Sequence, residues 1–177
     1  IRLSKSSNMR SLVPDHIRIE RFRNQLLADF GNYQKDPLVY GYILRDDFYH
    51  NINCVGAIIT GYVTKEALQQ KKITGAVTKD HLNAPRRMCD LLLWKPEVLY
   101  DIDKFNELVH YARFTIGVSK SQNVVVKQHS DGSIMELSID AYKKLTTLWW
   151  EEGKGYTKEF PEHLIYPLLT EYENTLL

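Results

Sequence analysis

The stretch Ile73-Thr74-Gly75-Ala76-Val77-Thr78-Lys79-Asp80-His81-Leu82-Asn83-Ala84-Pro85-Arg86-Arg87 decides how this chain is read. Its apolar start has the composition of a strand, and the segment Lys71–Val77 is expected to be one, ending at Asp80-His81. Leu82-Asn83-Ala84 is the exit, and Pro85 suits the first turn of a helix. Neighbours on a strand point to opposite faces, so an adjacent Asp and His converge on one ligand only at a strand end or a distorted turn. If they converge, the carboxylate can hold a divalent ion while a neutral imidazole takes a proton from water. Otherwise Asp80 caps the next helix and His81 is a polar loop residue. Lys79, Arg86 and Arg87 form the densest basic group nearby, and free N–H groups at a helix start favour anions. The alternative for the two arginines is an ordinary solvated helix face.

Outward from this stretch the pattern mixes short strands with helices. A helix from Asp15 to about Phe30 carries Ile19, Phe22, Leu26, Leu27 and Phe30 at helical spacing, with Asp15 as cap. Its Arg18, Arg21 and Arg23 belong to a solvated face. Leu38–Leu44, rich in Val, Tyr and Ile, reads as a strand, and Asp46–Asn53 as a turn. Cys54–Val63 reads as a second strand and Thr64–Gln70 as a helix. After Pro85 a helix runs to about Trp94 and buries Met88, Leu91 and Leu92. Asp103 caps another, to about Arg113. Thr115–Val118 is a short strand, Val124–Lys127 is β-prone, 129–132 is a turn and Ser133–Leu137 a strand. Ser138 caps a helix that carries Tyr142, Leu145, Leu148, Trp149 and Trp150. Gly153-Lys154-Gly155 ends it as a hinge.

Without strict alternation of strand and helix, this is α+β rather than a doubly wound sheet. The expected organisation is a flexible arm over 1–14, one α+β domain over 15–152, and a helical tail over 153–177. Ile1 in place of Met suggests that the true beginning is missing or processed, and the basic residues Arg2, Lys5 and Arg10 of the arm are candidates for tracking a phosphate backbone.

Composition narrows the function classes. The chain has 177 residues, 44% hydrophobic and 25% charged, enough for one globular core. With 23 basic and 22 acidic residues the net charge is +1, so a nucleic-acid surface has to be local. Eleven Tyr and three Trp serve packing in the first instance and base stacking in the second. Cys54 and Cys89 are expected to be reduced thiols, no CxxC occurs, and a four-cysteine zinc site is excluded within the chain. His50 and Cys54 have no matching second pair, so zinc is not expected. No apolar run is long enough to cross a membrane and no signal-peptide core follows the start, so an intracellular, non-secreted protein is the default. Glu152-Gly153-Lys154 fits the carboxylate-x-lysine triplet of restriction-type nucleases, but reads as a solvated helix end.

The run Val77-Thr78-Lys79-Asp80-His81, together with Ile116-Gly117-Val118-Ser119-Lys120-Ser121-Gln122-Asn123, resembles the HNH, or ββα-metal, endonucleases. In that family a first strand ends in Asp-His, and a later strand leads through a hydroxyl cap to an early helical His or Asn. The Asn-ending form is common in phage and intron homing enzymes. The resemblance covers about residues 54–127 and implies a ββα-metal core with a helical insertion. It implies a metal-dependent DNA endonuclease with His81 as general base, Asp80 and Asn123 as ligands of Mg²⁺ or Mn²⁺, and Lys79, Arg86 and Arg87 on the phosphate. Asn83 and Asn106 are the candidates for the family's middle Asn, which steadies the loop carrying the base. An enzyme cutting both strands of a palindrome is expected to dimerise. The alternative is a non-catalytic phage-type subunit that binds nucleic acid or protein, with Trp149-Trp150 as an interface anchor.

Overall fold

The computed structural model describes residues 13–124, 138–146 and 148–176. The expected arm, the strand at Ser133–Leu137, the turn at 129–132 and most of the β-prone run Val124–Lys127 lie outside them; Val124 itself is helical.

Helix α1 spans Asp15–Lys35 and α2 spans Pro37–Val55. The expected strand at Leu38–Leu44 and the turn after it are therefore one continuous helix. Its start is written in Asp36-Pro37: Asp36 accepts a hydrogen bond from the Val39 N–H at 3.3 Å, and Pro37 occupies the first turn. The apolar set that counts is Leu44, Phe48, Ile52 and Val55, all buried at helical spacing. The β-branched and aromatic residues that looked like a strand face outward instead, with Leu38, Val39 and Tyr42 exposed. Packing of α2 overrides their local preference. Phe22 of α1 meets Phe48 of α2 edge-on at 5.2 Å between ring centroids, and Phe105 at 5.4 Å.

Strand β1 is Ile58–Thr64 and helix α3 is Lys65–Thr74. Thr64 caps α3 through Ala67 N–H, and Gly75, at φ 78°, closes it. The strand expected at Lys71–Val77 is thus the end of α3, and β2 is confined to Thr78–His81. Helix α4, Pro85–Trp94, buries Met88, Cys89, Leu91 and Leu92 as its periodicity predicts. The short α5, Glu97–Tyr100, leads to α6, Ile102–Ala112, capped by Asp101 rather than Asp103. Strand β3 is Phe114–Val118, followed by a helical turn at 120–124. Helix α7, Ser138–Lys143, is shorter than expected. Trp149 and Trp150 lie on β4, Trp149–Glu151, which forms a hairpin with β5, Gly155–Thr157. The expected hinge at Gly153–Gly155 is the hairpin turn, with Gly153 at φ 82° and Gly155 at φ 91°. A 3₁₀ turn, Glu162–Leu164, precedes helix α8, Pro167–Asn174.

Among the described residues the strands form one mixed sheet in the order β2-β3-β1-β4-β5. Only the β1–β3 pair is parallel; β2–β3, β1–β4 and β4–β5 are antiparallel. The fold class is α+β. One face of the sheet carries Ile116, Val118 and Trp149 into the core against the helices. The segment after residue 152 is no appendage: β5 extends the sheet, and Leu164, Ile165, Tyr166 and Leu169 are core residues. No helix among the described residues is long and apolar enough to cross a membrane.

Candidate nucleic-acid site

Strand β2 pairs regularly with β3: Thr78 with Val118, Lys79 with Gly117, Asp80 with Ile116 and His81 with Thr115. Regular pairing keeps the alternation of side chains, so Asp80 and His81 point to opposite faces of the sheet. Asp80 faces the core side, where its Oδ2 lies 2.7 Å from the hydroxyl of buried Tyr142. The same hydroxyl is 2.8 Å from the His81 carbonyl, so one proton serves two acceptors. The other carboxylate oxygen of Asp80 accepts the His81 N–H at 2.9 Å. Burial, and then the adjacent Asp80 carboxylate, push the Tyr142 hydroxyl well above the usual tyrosine range, which leaves it a committed donor. Tyr142 looked from its spacing like one more apolar helix residue; nothing in the sequence marks it as the partner of Asp80.

His81 is half-buried, and its enclosed Nε2 has no hydrogen-bond partner. Burial lowers its pKa below 6.5 and the neighbouring Asp80 partly offsets this, so the ring is neutral at pH 7. Asn83, two residues on, is fully buried and fully bonded. Its Nδ2 donates to the carbonyls of Tyr111 at 3.0 Å and Leu164 at 2.9 Å, and its Oδ1 accepts the Tyr166 N–H at 2.8 Å. It fixes the loop that leaves His81 to α6 and to the turn before α8. Asn106 lies on α6, beside α1 residues His16 and Arg23.

Ser119 and Gln122 form a capping box at the helical turn: the Gln122 N–H donates to Ser119 Oγ at 3.2 Å, and the Ser119 N–H to Gln122 Oε1 at 2.9 Å. Gln122 also accepts from Thr64 Oγ1 at 2.7 Å and donates to Glu66 and to the Leu145 carbonyl. The hydroxyl cap expected before Asn123 is therefore real, and Gln122 bolts it to the start of α3. Asn123 itself has a buried Oδ1 without a partner. It sits one helical turn past the end of β3, and no hydrogen bond joins it to Asp80 or His81 among the described residues. No group of three or more His, Cys, Asp or Glu able to hold a metal occurs among those residues. His50 Nε2 and Cys54 Sγ, 3.5 Å apart on α2, remain a pair.

The two arginines part company. Arg86 lines a shallow depression together with Tyr42, Arg45, Asp46 and Tyr49 of α2. The Arg87 side chain is largely enclosed, with Nε 4.0 Å from the buried Glu173 carboxylate of α8. They part because consecutive helical residues diverge by about 100° around the axis. In α1, Arg18 donates to the Cys54 carbonyl at 3.3 Å, and Arg23 to the Leu99 and Tyr100 carbonyls, both at 2.9 Å. They satisfy the ends of α2 and α5 rather than forming a solvated face.

Lys79 occupies the solvent side of the sheet, on the same face as His81. It lines a groove of about 330 Å³ with Val63, Gly117, Trp150 and Lys71. Trp149 and Trp150 are split by the strand: Trp149 is buried against Phe160, and Trp150 meets the exposed Tyr156 at 5.3 Å on the outer face. Glu152 and Lys154 belong to the β4–β5 turn, with Lys154 3.0 Å from Glu151. Set against protein-family models, curated proteins and solved structures, the chain finds no match.

Proposed function

We propose that the chain is a DNA-directed phosphodiesterase, an HNH-like endonuclease dependent on Mg²⁺ or Mn²⁺. The observation that carries this is that two of the five buried, unpartnered side-chain atoms among the described residues, His81 Nε2 and Asn123 Oδ1, fall on residues that the sequence pattern singles out; the others are on Arg18, Asp29 and Arg87. Buried polar atoms are almost always bonded, so orphans on a candidate base and a candidate ligand call for a substrate or an ion. The chain order is the one the resemblance implies, β2 with Asp80-His81, an antiparallel β3, then the helical turn carrying Asn123, while the register sets Val118 opposite Thr78, at the end of β2 away from His81.

The chemistry would fall to His81, Asp80 and Asn123, with Tyr142 and Asn83 positioning them. His81, held neutral by its burial, takes the proton of the attacking water. Tyr142 orients the Asp80 carboxylate and the His81 backbone together. Asp80 would have to turn out of its hydrogen bonds with Tyr142 and the His81 N–H to join Asn123 on an ion, and an oxygen-only donor set suits a hard cation rather than zinc. When bound, such an ion stabilises charge on the phosphate. Asn83 keeps the loop behind His81 rigid.

A second role, DNA binding without cleavage, is favoured by the opposite facing of Asp80 and His81 on β2 and by the two donors already occupying Asp80. Supercoiled plasmid incubated with Mg²⁺ or Mn²⁺, with EDTA as control, separates the two. The expected outcome is metal-dependent nicking that His81→Ala reduces by about 10²-fold or more, within the usual range for a general base, while DNA binding persists. Full activity in His81→Ala, or cleavage in EDTA, would sink the mechanism. Binding without cleavage in the wild type would leave the second role.

A further inference from the structure

We infer that the outer face of the sheet is a platform for single-stranded DNA, with bases stacking on Trp150 and Tyr156 and phosphates held by Lys71 and Lys79. The inference rests on the nucleic-acid part of the function proposed above and adds a surface that takes an unpaired strand. One register row crosses the sheet: Lys79 pairs with Gly117, Val63 with both Gly117 and Trp150, and Trp150 with Tyr156. All five residues share one face, because paired positions on neighbouring strands point the same way.

This face is open. Tyr156 is 55% exposed and Ile59 is 65% exposed, although both are large and apolar. The middle of the row is low, because Gly117 has no side chain and only Val63 rises beside it. An ideal Cβ on Gly117 would come within 2.9 Å of Val63 Cγ1, so the dip is built into the packing. Aromatic rings stand at one end of the dip and ammonium groups at the other. Flat aromatic faces on an exposed sheet stack unpaired bases without regard to sequence, and flanking lysines take the backbone. A duplex hides its base faces and gains nothing from the rings.

Charge sets the direction of the strand. Glu152 lines the groove where it meets Gly61, so the phosphates belong at the opposite end, with Lys71 and Lys79. His81 lies two residues beyond Lys79 on that face, roughly 7 Å along the strand. A strand running off the lysine end is thereby delivered to the candidate base.

The test uses the full chain and two probes: a 5′-fluorescein-labelled oligothymidylate of about 20 nucleotides, and a labelled duplex of the same length, both followed by anisotropy. The single strand is expected to bind more tightly than the duplex and to quench tryptophan fluorescence. Trp150→Ala and Tyr156→Ala are each expected to weaken single-strand binding at least about fivefold, the low end for one stacked base, with Trp150→Phe retaining most of it. Lys71→Ala with Lys79→Ala is expected to flatten the salt dependence of Kd. Circular dichroism of each variant checks that it is folded. Absence of single-strand binding in the wild type, equal affinity for the duplex, or folded aromatic variants with unchanged Kd would overturn the platform. Plasmid nicking that depends on His81 alongside unchanged aromatic variants would leave the nuclease standing and remove the platform. Aromatic-dependent binding without any nicking would do the reverse.

Discussion

At the scale of single residues, the decisive pair is His81 and Tyr142. His81 is buried neutral, and that has a pH signature. The unfolded chain takes up the imidazole proton at about 6.5, while the folded chain does so only at lower pH. The stability linked to neutral His81 is therefore fully present above pH 6.5 and is lost as pH falls below that value. Melting temperature measured between pH 5 and pH 7 is expected to rise less steeply in His81→Gln than in the wild type; parallel curves would mean that the ring is not buried neutral. Asp29 acts with the opposite sign. Burial, helped by the neighbouring Asp47, raises its pKa to about 6, so its contribution weakens as pH climbs from 3.8 toward 6. The importance of Asp80-His81 was legible in the sequence as a pairing of types. Its anchoring was not, because a phenol 62 positions away in the chain supplies the hydrogen bond, and that contact exists only once α7 lies against β2.

At the scale of elements, periodicity worked where one face was apolar and the other polar. Helices α1, α4 and α6 follow their buried residues, Phe22 and Leu26, Met88 and Leu92, Phe105 and Leu108. It failed in α2, where Val39, Tyr40, Tyr42 and Ile43 carry strand-like composition on the outward side of a helix. It failed again at Trp149 and Trp150, where the core takes one ring and solvent the other. The outer sheet face is where a single atom tests element packing. Gly117→Ala places a methyl group against the stiff, branched Val63 and is expected to cost about 1–3 kcal/mol by overpacking. Adding Val63→Ala is expected to recover part of that cost. Urea denaturation of the two single variants and the double variant gives the coupling; strictly additive effects would show that the two side chains do not meet.

At the scale of the whole molecule, the segment after residue 152 completes the core. Removing 153–177 deletes β5, strips Ile165, Tyr166 and Leu169 from the core, and takes away two of the three backbone partners of Asn83. The truncated chain is expected to lose cooperative thermal unfolding, read by near-ultraviolet circular dichroism; a native-like transition would show the segment to be dispensable. The α+β class, the helix start at Pro85 and the hydroxyl cap at Ser119 rest on hydrophobic pattern, backbone geometry and side chains within one turn, and the sequence by itself determined them; the helix from Pro37 has an equally local start, but strand-like residues on its outward face hid it. Which face each strand buries, the parting of Arg86 from Arg87, the seat of Asp80 on Tyr142 and the open row from Lys79 to Tyr156 were decided only by the tertiary structure. Each of these depends on contacts between distant segments, and no local spacing encodes which distant surface will arrive.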